Sequence, residues 1–194
     1  MEMEVVKNLD MDRYMGRWYE IACFPSRFQP KDGVNTRATY TMASDGDGTS
    51  GGTVKVLNET WSGGNGKRGF IEGTAYKADP NSDEAKLKVK FYVPPFLPII
   101  PIVGDYWVLY VDLEYSCALV GQPSRSYLWV LCRENHMEEE VFGKLVQKAV
   151  DQGYDVSKLQ RTSHSETPPP VSSDAGVGGD DTKGVWWIKS LFGR

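Results

Sequence analysis

The side chains that most often carry out catalysis are few in this sequence and widely separated. His136 and His164 are the two histidines of 194 residues, and neither has a partner at the spacing of a catalytic triad or a metal site. The thiols of Cys23, Cys117 and Cys132 have no histidine close in sequence that could activate them. An odd number of cysteines indicates reduced thiols rather than a disulfide framework. The sequence therefore predicts no catalytic residue, no metal and no cofactor.

The overall composition excludes several classes of protein. The chain has 22 Lys and Arg against 26 Asp and Glu, a net charge of -4, whereas nucleic-acid-binding domains carry a basic stripe. It contains no run of apolar residues long enough for a helix to cross a bilayer. The N-terminus lacks the apolar core of a secretory signal. We therefore expect a cytoplasmic protein that does not bind nucleic acid.

Short stretches rich in β-branched and aromatic residues recur along the first two thirds of the chain. They cover residues 18–24, 34–42, 53–61, 69–78, 87–93, 106–112, 118–122 and 127–133. Turn-forming clusters of Gly, Asp, Asn and Ser separate several of them, and no helical pattern intervenes. Regular spacing of this kind predicts an all-β sandwich or barrel whose consecutive strands are antiparallel neighbours.

One helix is expected after the last of these strands. The three glutamates at 138–140 suit the positive N-terminal end of a helix. An apolar stripe follows, formed by Val141, Leu145, Val146 and Ala149. Gly153 suits the position just after the helix end. We expect this C-terminal helix to pack on the outside of the strands.

Two residues at opposite ends of the strand series favour a barrel over a sandwich. Gly16 and Trp18 open the first strand, and Arg133 ends the eighth. In an eight-stranded up-and-down barrel the first strand begins where the eighth finishes, so Trp18 and Arg133 would meet. A guanidinium over an indole ring is an attractive cation–π pair. The pattern predicts that Gly16, Trp18 and Arg133 close one end of the barrel.

These motifs resemble those of the lipocalin family over roughly residues 10–160. The resemblance rests on residues 16–22, 24–29, 127–133 and 153–158, and the segments 91–98 and 186–190 are similar to those of plant temperature-induced lipocalins. That group shares a branch with apolipoprotein D and the bacterial outer-membrane lipocalin. The family's second motif, Thr-Asp-Tyr, is degenerate here at 111–113. The resemblance implies an eight-stranded up-and-down antiparallel lipocalin barrel and a role in temperature and oxidative stress.

The interior of an eight-stranded barrel can hold one small ligand. Alternation along each strand selects the side chains expected to face that interior. The expected ligand-binding residues are Glu20, Ala22, Phe24, Asn58, Leu87, Val89, Phe91, Trp107, Leu109, Trp129 and Leu131. Asn58 and Glu20 are the candidates for holding a polar end, and an apolar ligand suits the remainder.

The sixth strand can be aligned in two ways. Either Trp107 and Leu109 face inward, or Tyr106, Val108 and Tyr110 do. Similar lipocalins keep an aromatic residue at the first of these positions. We therefore expect Trp107 and Leu109 in the interior.

An uncharged, proline-rich stretch joins the fifth and sixth strands. Four prolines within residues 91–104 argue against a helix or a central strand. The loop would stand at the open end of the barrel, opposite Trp18, where exposed apolar surface needs a partner. Three interpretations stay open: contact with a membrane, the rim of the ligand opening, or a lid over the protein's own core.

The C-terminal part of the chain divides into two segments after a folded unit at 1–160. Residues 161–183 are polar and predict a disordered linker, whereas 184–194 combine Trp, Phe and Ile with Lys and Arg, as interfacial anchors do. This tail could also pack on the barrel. The residues expected to touch a membrane are Pro94, Pro95, Phe96, Leu97, Ile99, Ile100, Ile102, Trp186, Trp187 and Phe192.

The sequence therefore favours a non-enzymatic carrier of a lipophilic small molecule, peripherally associated with a cell membrane. Two alternatives stay open. One is an enzyme acting on a lipophilic substrate through Glu20 with Asp112 or Glu114 as an acid–base pair, although Asp112 is expected near the closed end. The other is a membrane-surface adaptor whose barrel is filled by its own side chains.

Overall fold

The computed structural model describes residues 2–25, 32–43, 52–93, 100–167, 169 and 182–183. Within them, eight antiparallel strands follow one another along the chain. They are β1 Gly16–Cys23, β2 Gly33–Met42, β3 Val54–Ser62, β4 Arg68–Lys77, β5 Lys86–Val93, β6 Ile100–Val111, β7 Cys117–Gly121 and β8 Leu128–Cys132. Each strand pairs with the next, and β8 pairs back with β1. The expected eight-stranded up-and-down barrel is thus confirmed.

Two helices and two short strands complete the described elements. Helix α1, Met11–Tyr14, precedes β1, and helix α2, Glu139–Asp151, packs outside the barrel against β7. After α2 come a 3-10 turn at Val156–Lys158 and the short strand β9, Gln160–Arg161. Strand β10, Thr182–Lys183, runs parallel to the beginning of β4. The sequence predicted α2 but not α1, β9 or β10.

Strand β1 changes neighbours halfway along its length. Residues 16–19 pair with β2, whereas Ala22 and Cys23 pair with β9. The chain after β9 stays on the barrel, because the amide of Asn35 donates a hydrogen bond of 2.8 Å to the carbonyl oxygen of Ser163. We call residues 160–167 and 169 the C-terminal strap. The prediction that a linker begins at residue 161 was therefore wrong for the strap.

Strand β6 begins earlier than the sequence predicted. It includes Pro101, which pairs with Tyr92 of β5. The pairing of β6 with β7 begins only at Trp107, so the stretch that contains Pro101 has β5 as its neighbour but not β7. On the side away from β5, no backbone N–H is needed for a hydrogen bond between strands. Pro101 therefore lies on an edge stretch and not in a central strand, but the sixth strand starts at Ile100 and not at residue 106 as the sequence predicted.

Two apolar clusters lie on opposite sides of the barrel wall. The inner cluster includes Tyr14, Trp18, Tyr40, Val54, Val56, Ala75, Leu87, Val89, Val108, Ala118, Val120 and Leu131. The outer cluster lies beneath α2 and includes Tyr19, Ile21, Ala22, Phe24, Leu109, Cys117, Leu119, Leu128, Val130, Cys132, Leu145, Ala149 and Tyr154. Strands β1, β6, β7 and β8 contribute to both clusters, so this half of the wall is buried on both faces.

Candidate ligand-binding site

The closed end of the barrel is built around Trp18, which has no exposed surface. The guanidinium carbon of Arg133 lies 3.8 Å from the centroid of its ring. Arg133 also donates hydrogen bonds of 2.7 Å to the carbonyl oxygens of Arg13 and Arg17. The indole N–H of Trp18 donates to the carbonyl oxygen of Tyr14 at 2.8 Å. These contacts fix a cation over an aromatic plug, the arrangement expected from the sequence.

Gly16 permits this closure through its backbone. Its φ is +93°, in the left-handed region that favours glycine. A Cβ atom at this position would lie 3.2 Å from a guanidinium nitrogen of Arg133. A side chain here would therefore strain the backbone and crowd Arg133.

Seven of the eleven residues expected to bind a ligand face the interior. Leu87, Val89, Phe91, Trp129 and Leu131 belong to or pack against the inner cluster. Asn58 pairs with Ala38, and Glu20 pairs with Leu131. Because directly opposite residues in an antiparallel pair point to the same face, Asn58 and Glu20 also face inward.

Part of this inner wall is open to solvent. Ala38, Asn58, Phe91, Tyr106 and Trp129 are each partly exposed, although they face into the barrel. Residues on the inner face of a closed barrel reach solvent through its bore. Their exposure therefore indicates that the barrel is not completely filled by its own side chains.

The prediction that Ala22 and Phe24 line the interior was wrong, because both belong to the outer cluster. A register shift in the pairing of β1 with β8, between Glu20 and Ala22, reverses the alternation of β1. Cys23 consequently pairs with Trp129 and takes the inner position. Simple alternation from Trp18 fails beyond this irregularity.

The prediction for Trp107 and Leu109 was also wrong. Both pack in the outer cluster, whereas Tyr106 and Val108 belong to the inner one. A register shift between Val108 and Tyr110 then turns Tyr110 outward as well. The inner face of β6 thus presents the phenol of Tyr106 and not the indole of Trp107.

Three tyrosine hydroxyl groups meet above the plug. The hydroxyl of Tyr106 lies 2.8 Å from that of Tyr14 and 3.0 Å from that of Tyr40. Burial raises the pKa of Tyr40 to about 12 and raises those of Tyr14 and Tyr106 further, so all three phenols are neutral at physiological pH. Nothing in the sequence pattern pointed to this group, because Tyr14 precedes the first strand and Tyr106 was expected on the outer face.

The model of the lipocalin-like domain family matches residues 9–164. The chain belongs to the lipocalin family. Temperature-induced lipocalin-1 of Arabidopsis thaliana is 68% identical over 193 residues, covering 100% of this chain and 97% of that protein. The outer membrane lipoprotein Blc of Escherichia coli K12 is 37% identical over 155 residues, covering 80% of this chain and 79% of that protein.

A solved structure supports the fold. Insecticyanin from the tobacco hornworm Manduca sexta superposes with a TM-score of 0.68 at 21% identity, covering 95% of this chain and 92% of the other. At this identity the similarity concerns the barrel architecture alone. Lipocalins are generally small-ligand carriers rather than enzymes.

Two of the three carboxylates that the sequence made candidates for acid–base chemistry have structural partners, and the third, Glu114, is exposed. Glu20 is buried and accepts a hydrogen bond of 2.6 Å from the hydroxyl of Thr162. Asp112 accepts from the amides of Ser116 and Cys117 at 2.7 and 2.8 Å in the turn after β6, at the closed end. No group of three or more His, Cys, Asp and Glu that could hold a metal ion occurs in the described parts of the chain.

Most residues expected to touch a membrane lie outside the described residues. These are Pro94, Pro95, Phe96, Leu97, Ile99, Trp186, Trp187 and Phe192. Ile100 begins β6, and Ile102 pairs with Phe91, so Ile102 shares the inner face near the mouth instead of the outer surface. Among the described residues no helix is long and apolar enough to cross a membrane.

Proposed function

We propose that this lipocalin binds a small lipophilic molecule inside its barrel and carries it without chemical conversion. The observation that supports the proposal most directly is the partly exposed inner wall, with Phe91 and Trp129 facing a bore that Trp18 and Arg133 close at one end. Such a site suits an apolar body with one polar end. Fatty acids, lysophospholipids, sterols and tetrapyrroles all have this character.

The proposal places the protein at a membrane surface in the cytoplasm. The support is the uncharged stretch at 94–99 and the aromatic, cationic tail at 184–194. The mouth is the natural site of contact, because β5 ends and β6 begins at the end of the barrel opposite Trp18. A relative named outer membrane lipoprotein Blc is consistent with membrane association in this family.

A role in protecting membrane lipids during temperature and oxidative stress is part of the same proposal. Its support is the 68% identity to a protein named temperature-induced lipocalin-1. A carrier that removes damaged or displaced lipid from a membrane needs both an apolar bore and an exposed docking surface. Both are elements of the proposal for this chain.

Ligand binding is tested by organic extraction of the purified protein, followed by mass spectrometry, and by titration with a fluorescent apolar probe. We expect a stoichiometric apolar compound in the extract and saturable binding of the probe. Ala38→Trp fills the bore from β2 and should abolish binding, whereas Val103→Trp, at a position 51% exposed on β6, should not. Melting temperatures of the two variants verify that each is folded. An empty extract with no probe binding would instead support an adaptor with a filled barrel.

Membrane docking is tested by co-sedimentation with liposomes. Phe96→Ser combined with Ile99→Ser, and separately deletion of residues 184–194, should each reduce the bound fraction. The matched control is Leu113→Ser, which removes an apolar side chain that is 89% exposed in the turn at the closed end. Unchanged binding of both altered proteins would refute docking through these segments.

A further inference from the structure

We propose that Tyr14, Tyr40 and Tyr106, here called the tyrosine floor, bind the carboxylate of a long-chain fatty acid that lies head-down in the barrel. Its hydrocarbon chain then points toward the mouth. The inference rests on the proposed function, because it requires a bore that takes up a lipophilic molecule. It assigns a polar site that differs from Glu20 and Asn58, the candidates drawn from the sequence.

The tyrosine floor spans the width of the barrel. Tyr40 belongs to β2 and Tyr106 to β6, and three strands separate β2 from β6 in either direction around the barrel. Their hydroxyl oxygens nevertheless lie 3.0 Å apart. Tyr14 approaches from α1, and its ring lies 5.0 Å from that of Trp18. A ligand descending from the mouth therefore meets hydroxyl groups before it reaches the plug.

The hydrogen-bonding pattern of the floor leaves one donor available. Within the described part of the chain, the hydroxyl of Tyr106 contacts the hydroxyls of Tyr14 and Tyr40, and each contact uses one hydrogen atom. Three phenols supply three hydrogen atoms. The third hydrogen is free for an acceptor brought by the ligand.

The accessible member of the floor is Tyr106. Tyr14 and Tyr40 are buried, at 3% and 7% exposure, whereas Tyr106 is partly exposed although it faces the interior. The next inward position of β6 is Gly104, which pairs with Val89. Because Gly104 has no side chain, β6 itself places no side-chain atom above the phenol of Tyr106. The neighbouring side chain there is that of Gln122, whose Nε2 lies 3.5 Å from the position that a Cβ of Gly104 would take.

The charge around the floor favours an acceptor that carries a negative charge. The guanidinium of Arg133 stacks on Trp18 and lies close enough to all three phenols to stabilise a negative charge placed at them. Because burial keeps the phenols protonated, they donate hydrogen bonds and bring no negative charge of their own. A buried carboxylate requires hydrogen bonds and a nearby cation, and the floor offers both. An ammonium head group would meet the same cation and be repelled.

The orientation is tested with palmitate bound to the intact, delipidated protein. Palmitate labelled with carbon-13 at the carboxyl carbon, and in a second sample at the terminal methyl carbon, is examined by NMR with a soluble paramagnetic agent in the solvent. We expect the methyl signal to broaden and the carboxyl signal to stay sharp. The opposite pattern would overturn the proposal, because it would place the carboxylate at the mouth.

The tyrosine floor itself is tested by measuring palmitate affinity in Tyr106→Phe. We expect a loss of about tenfold, equivalent to about 1.4 kcal/mol, and a smaller loss in Tyr40→Phe. Tyr76→Phe is the matched control, because Tyr76 is 38% exposed, and its affinity should equal that of the unchanged protein. Hexadecylamine, which has a similar chain and an ammonium head group, should bind more weakly than palmitate and be insensitive to Tyr106→Phe.

The outcomes separate the two proposals. If the unchanged protein binds a fluorescent apolar probe but not palmitate, or binds palmitate equally well in Tyr106→Phe, the tyrosine floor is refuted and the carrier function stands. If it binds neither palmitate nor the probe, the carrier function fails and the floor proposal fails with it.

Discussion

The outer wall of the barrel is covered in two places by opposite chemistry. Beneath α2 the covered surface is apolar, with Leu145 and Ala149 of the helix packed on strand side chains such as Leu128. On β2–β4 the covered surface is ionic. There Glu59 bonds Arg37 and Arg68 at 2.8 Å each, and the Glu59 and Arg37 side chains are almost completely buried.

The ionic surface depends on close packing as much as the apolar one. The guanidinium of Arg37 lies 4.7 Å from the ring centroid of Trp61 and donates to the carbonyl oxygen of Pro169 in the strap at 2.7 Å. Arg68 lies 4.5 Å from the ring centroid of Phe70. Apolar burial stabilises by removing surface from water, whereas a buried ion cluster is stable only while every partner is present. The comparison predicts different responses to mutation.

The largest effect is expected from Glu59→Gln. The change removes the carboxylate charge that both guanidinium groups contact, and breaking a buried ion pair costs about 3–5 kcal/mol. The free energy of unfolding in urea measures the loss. The control is Glu140→Gln, which removes an exposed ion pair with Lys144 on α2 and should leave the stability unchanged. Equal effects of the two substitutions would show that the cluster on β2–β4 is open to water.

A somewhat smaller effect is expected from Leu145→Ala beneath α2. Leu145 is 1% exposed, and removing a buried leucine side chain costs about 2–5 kcal/mol, through lost burial and the cavity that remains. Urea unfolding measures it against Val150→Ala on the same helix, a residue 44% exposed, which should cost less than about 0.5 kcal/mol. An equally costly Val150→Ala would contradict the prediction, because alanine has a higher helix propensity than valine and the exposed side chain contributes little burial.

The reactivity of the buried thiols reports how closely α2 packs on the apolar surface. Burial raises the pKa of Cys117 to about 11 from an ordinary value of 9.0, which lowers the thiolate fraction about a hundredfold at mildly alkaline pH. Cys117 and Cys132 are free cysteines that lie opposite each other on β7 and β8. We expect both to react slowly with Ellman's reagent in the folded protein. Unfolding in urea should make both thiols reactive, and Leu145→Ala should accelerate their reaction in the folded protein. Rapid labelling of the unaltered folded protein would contradict the close packing of α2.

The two halves of the wall also explain which inferences from sequence succeeded. Along β5 the run 86–90 alternates lysine with apolar residues, so Leu87 and Val89 were assigned to the interior correctly. Along β7 every residue is buried, and β6 presents the consecutive apolar residues 107–109. Where both faces of a strand are buried, apolar residues occupy both faces. The sequence then shows no alternation of polar and apolar residues, and a register shift cannot be detected from it.

The ionic surface was missed for the opposite reason. Arg37, Glu59 and Arg68 occupy the outer positions of β2–β4, where charged residues ordinarily face water. Arg37 is covered by the distant strap through Pro169, and the polar composition of the strap indicates a linker. The closure by Trp18 and Arg133 was predictable, because it follows from where the first strand begins and the eighth ends.

The smallest effect is expected from a change of pH. It acts on His164 in the C-terminal strap, the segment that contacts the ionic surface. The ring nitrogen Nε2 of His164 lies 2.7 Å from the carbonyl oxygen of Glu20, and its ring packs edge-on against Tyr19. Burial lowers the pKa of His164 below its ordinary value of 6.5, so the unfolded chain binds a proton more readily than the folded one. Stability should therefore fall as the pH drops below about 6.5 and stop falling once the pH is below the folded-state pKa.

His164→Gln retains a side-chain donor and removes the titration, so the difference in unfolding free energy between variant and parent isolates this effect from the carboxylates. Relative to its intrinsic rate at each pH, hydrogen exchange of the Asn35 amide, which donates to the strap at Ser163, should accelerate in the same pH range in the parent alone. The amides of β7, beneath α2, should not respond. A parallel acceleration of the β7 amides would mean that acid opens the whole barrel, and that the strap and α2 do not cover the wall independently.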